Sequence, residues 1–284
     1  MRYCGRDFQE HEIELIARLL QQPQIYRARL SRELCEQLNW RRANGQLKDM
    51  SCRVALLRMQ ADGLIRLPPP RNAKPVAFKA HPEIERAVRE PRSAPRIDLA
   101  RIDLEPVITK PDSLLWNAYI EHYHYLKYQP MPGAQLRYFV RSNDQVIAAL
   151  GFGASAWKVK PRDQLIGWTR EQRQRHLHLV VNHARFLILP WIHVKNLASR
   201  VLALASRRLA EDWHARYAYR PVLLETFVEK PRFTGTCYKA ANWQYLGDTQ
   251  GRGKLDTLHR HDKPIKSLWI YPLEKHFRKT LCCL

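Results

Sequence analysis

The sequence predicts an α+β chain: a winged helix-turn-helix, a Pro/Arg-rich linker and an α/β sheet domain. Three observations carry this. Residues 10–67 repeat apolar positions at helical spacing three times over. Residues 71–110 are rich in Pro, Arg and Asp and lose that periodicity. Beyond residue 111, strand-like apolar runs alternate with one long helical pattern. The expected boundaries are therefore 1–70, 71–110 and 111–284.

Within the first segment, Ile13, Ile16, Leu19 and Leu20 share one helix face. Leu30, Leu34, Cys35 and Leu38 define a second face, and Val54, Leu56, Leu57 and Met59 a third. Ser31 fits an N-cap of the middle helix, Gly45 a turn, and Asp62-Gly63 a stop before a strand-like "LIRLPPP" that would be the wing.

In the third segment, "QLRYFV" and "QVIAALGF" read as strands joined through Ser142, Asn143 and Asp144. "ARFLILP" and "PVLLETFV" read as buried strands on either side of a helix from Ala198 to Arg216. A short helix within "FTGTCYKAANW" and a closing strand in "IKSLWIYPL" complete the order. This order resembles the layout of the GNAT acyltransferases, so a GNAT-like α/β domain is expected. Their pyrophosphate loop has the form Q/R-x-x-G-x-G/A before a helix, and here that stretch reads "HVKNLA". His193 stands at its first position and Asn196 at the glycine. Trp243 and "LGD" replace the tyrosine and Leu-Gly-Phe of the acyltransferase helix, and these departures point away from acyl-CoA chemistry.

The chain has 284 residues, 48 Lys and Arg against 27 Asp and Glu, and a formal charge of +21. So large an excess calls for a polyanionic partner, and DNA fits best. Neither a charged-then-apolar leader nor a long apolar run is visible, so a cytoplasmic protein without membrane contact is expected. The six cysteines form no CxxC pair, which argues for free thiols rather than a zinc ribbon or disulfide framework.

Arg27 to Lys74 hold eleven basic and four acidic residues. On a helix-turn-helix frame, Gln46, Lys48, Ser51, Arg53 and Arg58 are candidates for facing bases, and Arg29, Arg32, Arg41, Arg42 and Arg66 for phosphates. In the sheet domain, "HYHYLKY" interleaves rings with His122, His124 and Lys127, the pattern of a stacking face. Lys195 and Arg232 add cations. "FTGTCYKAANWQYLGDTQGRGK" reads as an anion clamp, with Thr234 to Thr236 capping a helix, Tyr238 and Lys239 flanking the anion, and Arg252 and Lys254 in a Gly-rich loop. Glu225, inside an apolar strand, and Glu229 at its end could hold a divalent metal or act as base, although a satisfied ion pair is the simpler account of both. "HLHL" (His176, His178) has the His-apolar-His form of a metal-holding strand in nicking enzymes, without a following tyrosine pair. Candidate catalytic residues are thus Glu225, Glu229, His122, His124 and Tyr238. No cofactor is expected unless a divalent metal serves the enzymatic alternative.

The runs "ETFVEKPRFTGTCYKAANWQYLGDTQGRGK", "NHARFLILPWIHVKNLAS", "YHYLKY" and "KPIKSLWIYPL", with "LSRELCEQLNWRRANGQLKDMSCRVALLRMQADGLIRLP" upstream, resemble the DruA family of Druantia anti-phage systems. That family's domain also occurs in mobile-element proteins. The resemblance implies a role in phage defence or mobile DNA, with DNA and other proteins of the same operon as partners. Strand cleavage or transposition is the enzymatic alternative.

Overall fold

The computed structural model describes residues 1–70, 81–91, 97–251 and 264–283. The chain divides into two compact units, the smaller one N-terminal.

In the first unit a hairpin of β1 (Arg2–Tyr3) and β2 (Arg6–Asp7) precedes helices α1 (Glu10–Leu20), α2 (Arg27–Gln37) and α3 (Asp49–Ala61). The expected apolar faces of α1 and α2 are the buried ones, and Ile16, Leu19, Leu30, Leu34 and Cys35 meet Cys52, Ala55, Leu56 and Met59 of α3 in one core. Three expectations change. Ser31 lies inside α2, its hydroxyl donating to the Ala28 carbonyl, and Tyr26 is the N-cap. On α3, Val54 and Leu57 face solvent together with Met50, because Cys52 and Ala55 take the inward positions. "LIRLPPP" forms no strand; among the described residues, the strands of this unit are β1 and β2.

The second unit contains α4 (Pro82–Ala87), β3 (Ile102–Pro106), α5 (Lys110–Tyr123), β4 (Leu136–Ser142), β5 (Gln145–Ala154), α6 (Lys160–Ile166) and α7 (Arg170–His176). It continues through β6 (Val180–Ile188), α8 (Leu197–Tyr217), β7 (Leu223–Glu229), α9 (Thr236–Ala240), β8 (Gln244–Asp248), β9 (Lys266–Pro272) and α10 (Phe277–Leu281). The fold is therefore mixed α+β around a seven-stranded sheet of order β3-β4-β5-β6-β7-β9-β8. Every neighbouring pair is antiparallel except β6 and β7, which run parallel across the α8 crossover. The β4–β5 hairpin turns through Asn143 (φ 48°) and Asp144 (φ 63°), the left-handed pair that a tight hairpin requires.

The expected 71–110 linker is shorter in reality, since α4 and β3 both fall within it and β3 forms an edge of the sheet by pairing with β4. "HLHL" is no strand face either: His176 ends α7, and Leu177–Leu179 form a 3-10 turn. No two cysteines are joined. Among the described residues no helix is long and apolar enough to cross a membrane.

Gly235, the N-cap of α9, has φ +76°, and a Cβ there would lie 2.8 Å from two atoms of the Trp269 ring. Gly235→Ala is therefore expected to lose about 2–3 kcal/mol, combining left-handed strain with overpacking. Gly63→Ala, at the same φ but in open space, carries the strain alone. Urea unfolding midpoints of the two variants check the difference.

Candidate functional site

The parallel pairing of β6 and β7 lasts three residues, Val180 to Asn182 against Leu223 to Glu225. Beyond it β6 stays with β5 and β7 with β9, so the sheet opens between them. A cleft of about 480 Å³ occupies the opening. Its walls are the His124–Leu126 segment after α5, Asn182–Phe186 of β6, Thr226–Val228 of β7, the Arg232–Tyr238 turn and Lys266.

At its floor, His183 is 3% exposed and stacks on Phe152, with ring centroids 4.4 Å apart. Its Nδ1 lies 3.2 Å from the Tyr238 hydroxyl, and its backbone carbonyl accepts from Thr226 Oγ1 at 3.0 Å. Its Nε2 is buried and has no partner among the described residues. Burial drives the His183 imidazole down to about 3, against an upward pull from the Arg185 backbone. His124 is brought down to about 4 by burial and by the Arg185 guanidinium. Both rings are therefore neutral at physiological pH, where they serve as donors and acceptors. Burial pushes the Tyr238 phenol up, so it stays protonated.

Arg185 is half-buried, donates to the Ala184 carbonyl at 2.8 Å, and has no acidic partner among the described residues. Burial alone lowers its proton affinity, with Tyr125 opposing. Tyr125 and Phe233 sit at the cleft with ring centroids 5.5 Å apart, and the Arg232 guanidinium lies 5.3 Å over the Tyr125 ring.

Of the residues singled out by sequence, the cleft brings together His124, Tyr238, Arg232 and the Thr234–Thr236 turn. The remaining ones lie elsewhere. His122 pairs with Glu85 at 2.8 Å, and Lys127 is exposed with φ 55°. Lys195 is exposed in the turn before α8, where Asn196 adopts φ 63°, keeping the glycine-like backbone while adding a side chain. Lys239 is exposed and does not line the cleft. Thr234 and Thr236 make no capping bond to α9, which is only five residues long, so the anion clamp loses its helix half. Arg252 and Lys254 lie outside the described residues.

Glu225 and Glu229 each have their own guanidinium. Fully buried Glu225 accepts from Arg162 at 2.9 Å and from the Ala156 N–H at 3.0 Å; burial pushes its carboxyl up against those contacts. Glu229 pairs with Arg232 at 3.1 Å. The ion-pair reading of both carboxylates is the one their geometry matches. No group of three or more His, Cys, Asp or Glu among the described residues is placed to hold a metal ion.

In the first unit, Lys48 is the N-cap of α3. Arg53 bonds Asp49 at 3.0 Å and Ser31 at 3.2 Å, tying α3 to α2, whereas Arg58 is exposed. Arg32, Arg41, Arg42 and Gln46 line one shallow depression. Sequence reasoning missed Arg162, His183 and Arg185. The signal for the last two was present: a His and an Arg interrupt the otherwise apolar "NHARFLILP".

Among solved structures, the chain is similar to an N-acetyltransferase from Staphylococcus aureus Mu50, at 13% identity over 61% of this chain and 97% of that one, with a TM-score of 0.35. It is also similar to a polyamine N-acetyltransferase of Drosophila melanogaster, at 11% identity over 60% of this chain and 100% of that one, with a TM-score of 0.37. No curated protein matches its sequence. The family model of the Druantia protein DruA matches residues 63–281, from the end of the first unit through α10. With that match spanning most of its length, the chain belongs to the DruA family.

Proposed function

We propose that the protein is a DNA-binding component of a Druantia anti-phage system, acting in the cytoplasm alongside other proteins of its operon. The observation that carries this reading is Arg185, a half-buried cation without a counter-ion among the described residues, in a cleft whose described lining includes Lys266 and the Glu229-paired Arg232 but no Asp or Glu. On a chain of charge +21, such a site favours a polyanion. The first unit adds a second basic surface at Arg32, Arg41 and Arg42. We read that unit as a helix-turn-helix reader without the expected wing strand, in which α3 presents Arg58 beside Met50, Val54 and Leu57; apolar side chains of this kind suit thymine methyl groups. The α8 crossover between two diverging parallel strands supports a GNAT-like α/β domain.

Binding to labelled duplex is expected to weaken with salt, with a log-log slope of about −0.9 for each phosphate contact. Arg32, Arg41 and Arg42 changed together to Gln should flatten the slope by about 2–3 if all three meet phosphates. A slope near zero for the unaltered protein would sink the reading. Incubation with Mg²⁺ or Mn²⁺ tests strand cleavage in the same samples.

A further inference from the structure

We propose that the cleft between β6 and β7 is a pocket for a single nucleotide, holding an unstacked base against Tyr125 and its phosphate at Arg185 and Lys266. The inference deepens the DNA-binding reading for the case in which the nucleotide belongs to a strand, and stands without it if the ligand is a free mononucleotide.

Size is the first argument. About 480 Å³ lies within the range of roughly 300–1,000 Å³ typical of small-molecule sites, and far exceeds what a lone phosphate needs. The lining then divides into two chemistries. Tyr125, Phe186, Phe233 and Tyr238 offer aromatic surface, and every nucleobase has a face that stacks on such rings. Tyr125 meets Phe233 at 58°, stacks on His124 with centroids 4.8 Å apart and carries the Arg232 guanidinium 5.3 Å over its ring, so a base enters against Tyr125 by displacing the exposed Arg232 side chain. Against these rings stand Arg185 and Lys266, with Arg232 already paired to Glu229 beside the cleft; the described lining itself holds no carboxylate, although the chain has 27 acidic residues to place.

Two groups there await partners. The Arg185 guanidinium is partly desolvated, and among the described residues its one bond is to a neutral carbonyl. Leaving a cation in that state is unfavourable unless an anion arrives, and a phosphate matches its donor fork. His183 is more than nine-tenths buried, and its Nε2 has no partner. Whichever ring nitrogen carries the proton, Nε2 presents an unmet donor or acceptor, and a base edge supplies both kinds. The Tyr238 hydroxyl at Nδ1 and the flat contact with Phe152 fix the ring's orientation.

Calorimetric titration of the full chain with dAMP, deoxyribose 5-phosphate and inorganic phosphate tests the pocket. A single-stranded oligonucleotide carrying one 2-aminopurine, read by its emission, tests entry of a base from a strand. The expected order is dAMP tightest, the sugar phosphate at least about tenfold weaker, and phosphate weakest. Arg185→Gln and Tyr125→Ala should each weaken dAMP about tenfold or more. The melting temperature of Arg185→Gln should hold or rise, since an uncompensated cation has left, a result that a structural role for Arg185 would not give. An emission change that dAMP competes away, and that Tyr125→Ala abolishes, assigns the pocket to a strand. Binding of dAMP without that emission change assigns it to a free mononucleotide. If the unaltered protein binds neither, or both variants bind both ligands as it does, the proposal is overturned. Persistent salt-dependent DNA binding in that case would leave the DNA-binding reading intact.

Discussion

Arg162→Met is expected to cost about 3–5 kcal/mol of folding stability, because it strands a buried carboxylate. Arg162 has no solvent exposure; it bonds Glu225 at 2.9 Å, Asp163 at 2.8 Å and the Ala156 carbonyl at 2.9 Å, with its guanidinium 5.5 Å from the Trp168 ring centroid. Removing the cation leaves Glu225 with only the Ala156 N–H among the described residues. Pairing the change with Glu225→Leu should recover most of the loss, since replacing both members of a buried ion pair by apolar groups is often close to neutral. Urea midpoints of the two single variants and the double variant give the coupling. A single variant as stable as the parent would show that the buried pair contributes nothing.

Acidification should destabilise the fold well above the range in which ordinary carboxylates titrate. An unfolded imidazole takes up its proton near 6.5. The folded chain refuses that proton at His183 until about 3 and at His124 until about 4. In that window the unfolded state binds more protons, so stability falls as pH drops. The contribution is complete above about 6.5 and declines by up to about 1.4 kcal/mol per pH unit for each ring. Thermal unfolding followed from pH 7.5 to 4.5 should show this slope, and His183→Gln should flatten it. An unchanged slope in that variant would mean that the imidazole is not held neutral.

Much of the architecture was legible in residue order because local chemistry decided it. Asn143 and Asp144 announced the β4–β5 hairpin, and the apolar runs of β6, β7 and β9 and the spacing along α8 placed most of the sheet. β3 was hidden because Ile102 and Leu104 alternate with Asp103 and Glu105 inside a Pro/Arg-rich stretch, and an edge strand needs no stronger pattern. Val54 and Leu57 misled for the opposite reason: helical spacing marks an apolar face without saying that anything covers it. The helix half of the anion clamp did not form as read, because proximity in sequence stood in for proximity in space. Thr236 and Tyr238 do line the cleft, but beside the His124–Tyr125 segment, and the Tyr238 hydroxyl meets His183 from the crossover's far side. Nor could Arg162 be recognised, since a charge amid "KPRDQLIGW" reads as solvated until Glu225 is seen beside it.

The three-residue junction between β6 and β7 also has a consequence for how the molecule assembles. On one side, β3 to β6 form an antiparallel meander; on the other, β7, β9 and β8 gather within the C-terminal part of the chain. Each half-sheet joins neighbours by comparatively local steps, so its loop-closure entropy is modest. The parallel seam is different, because α8 and its flanking turns must be ordered before Val181 can meet Leu224. So few ladder bonds repay that closure poorly, so the seam is expected to be the last part of the sheet secured on folding, which hydrogen exchange at Val181 and Leu224 faster than at the β4–β5 ladder would show.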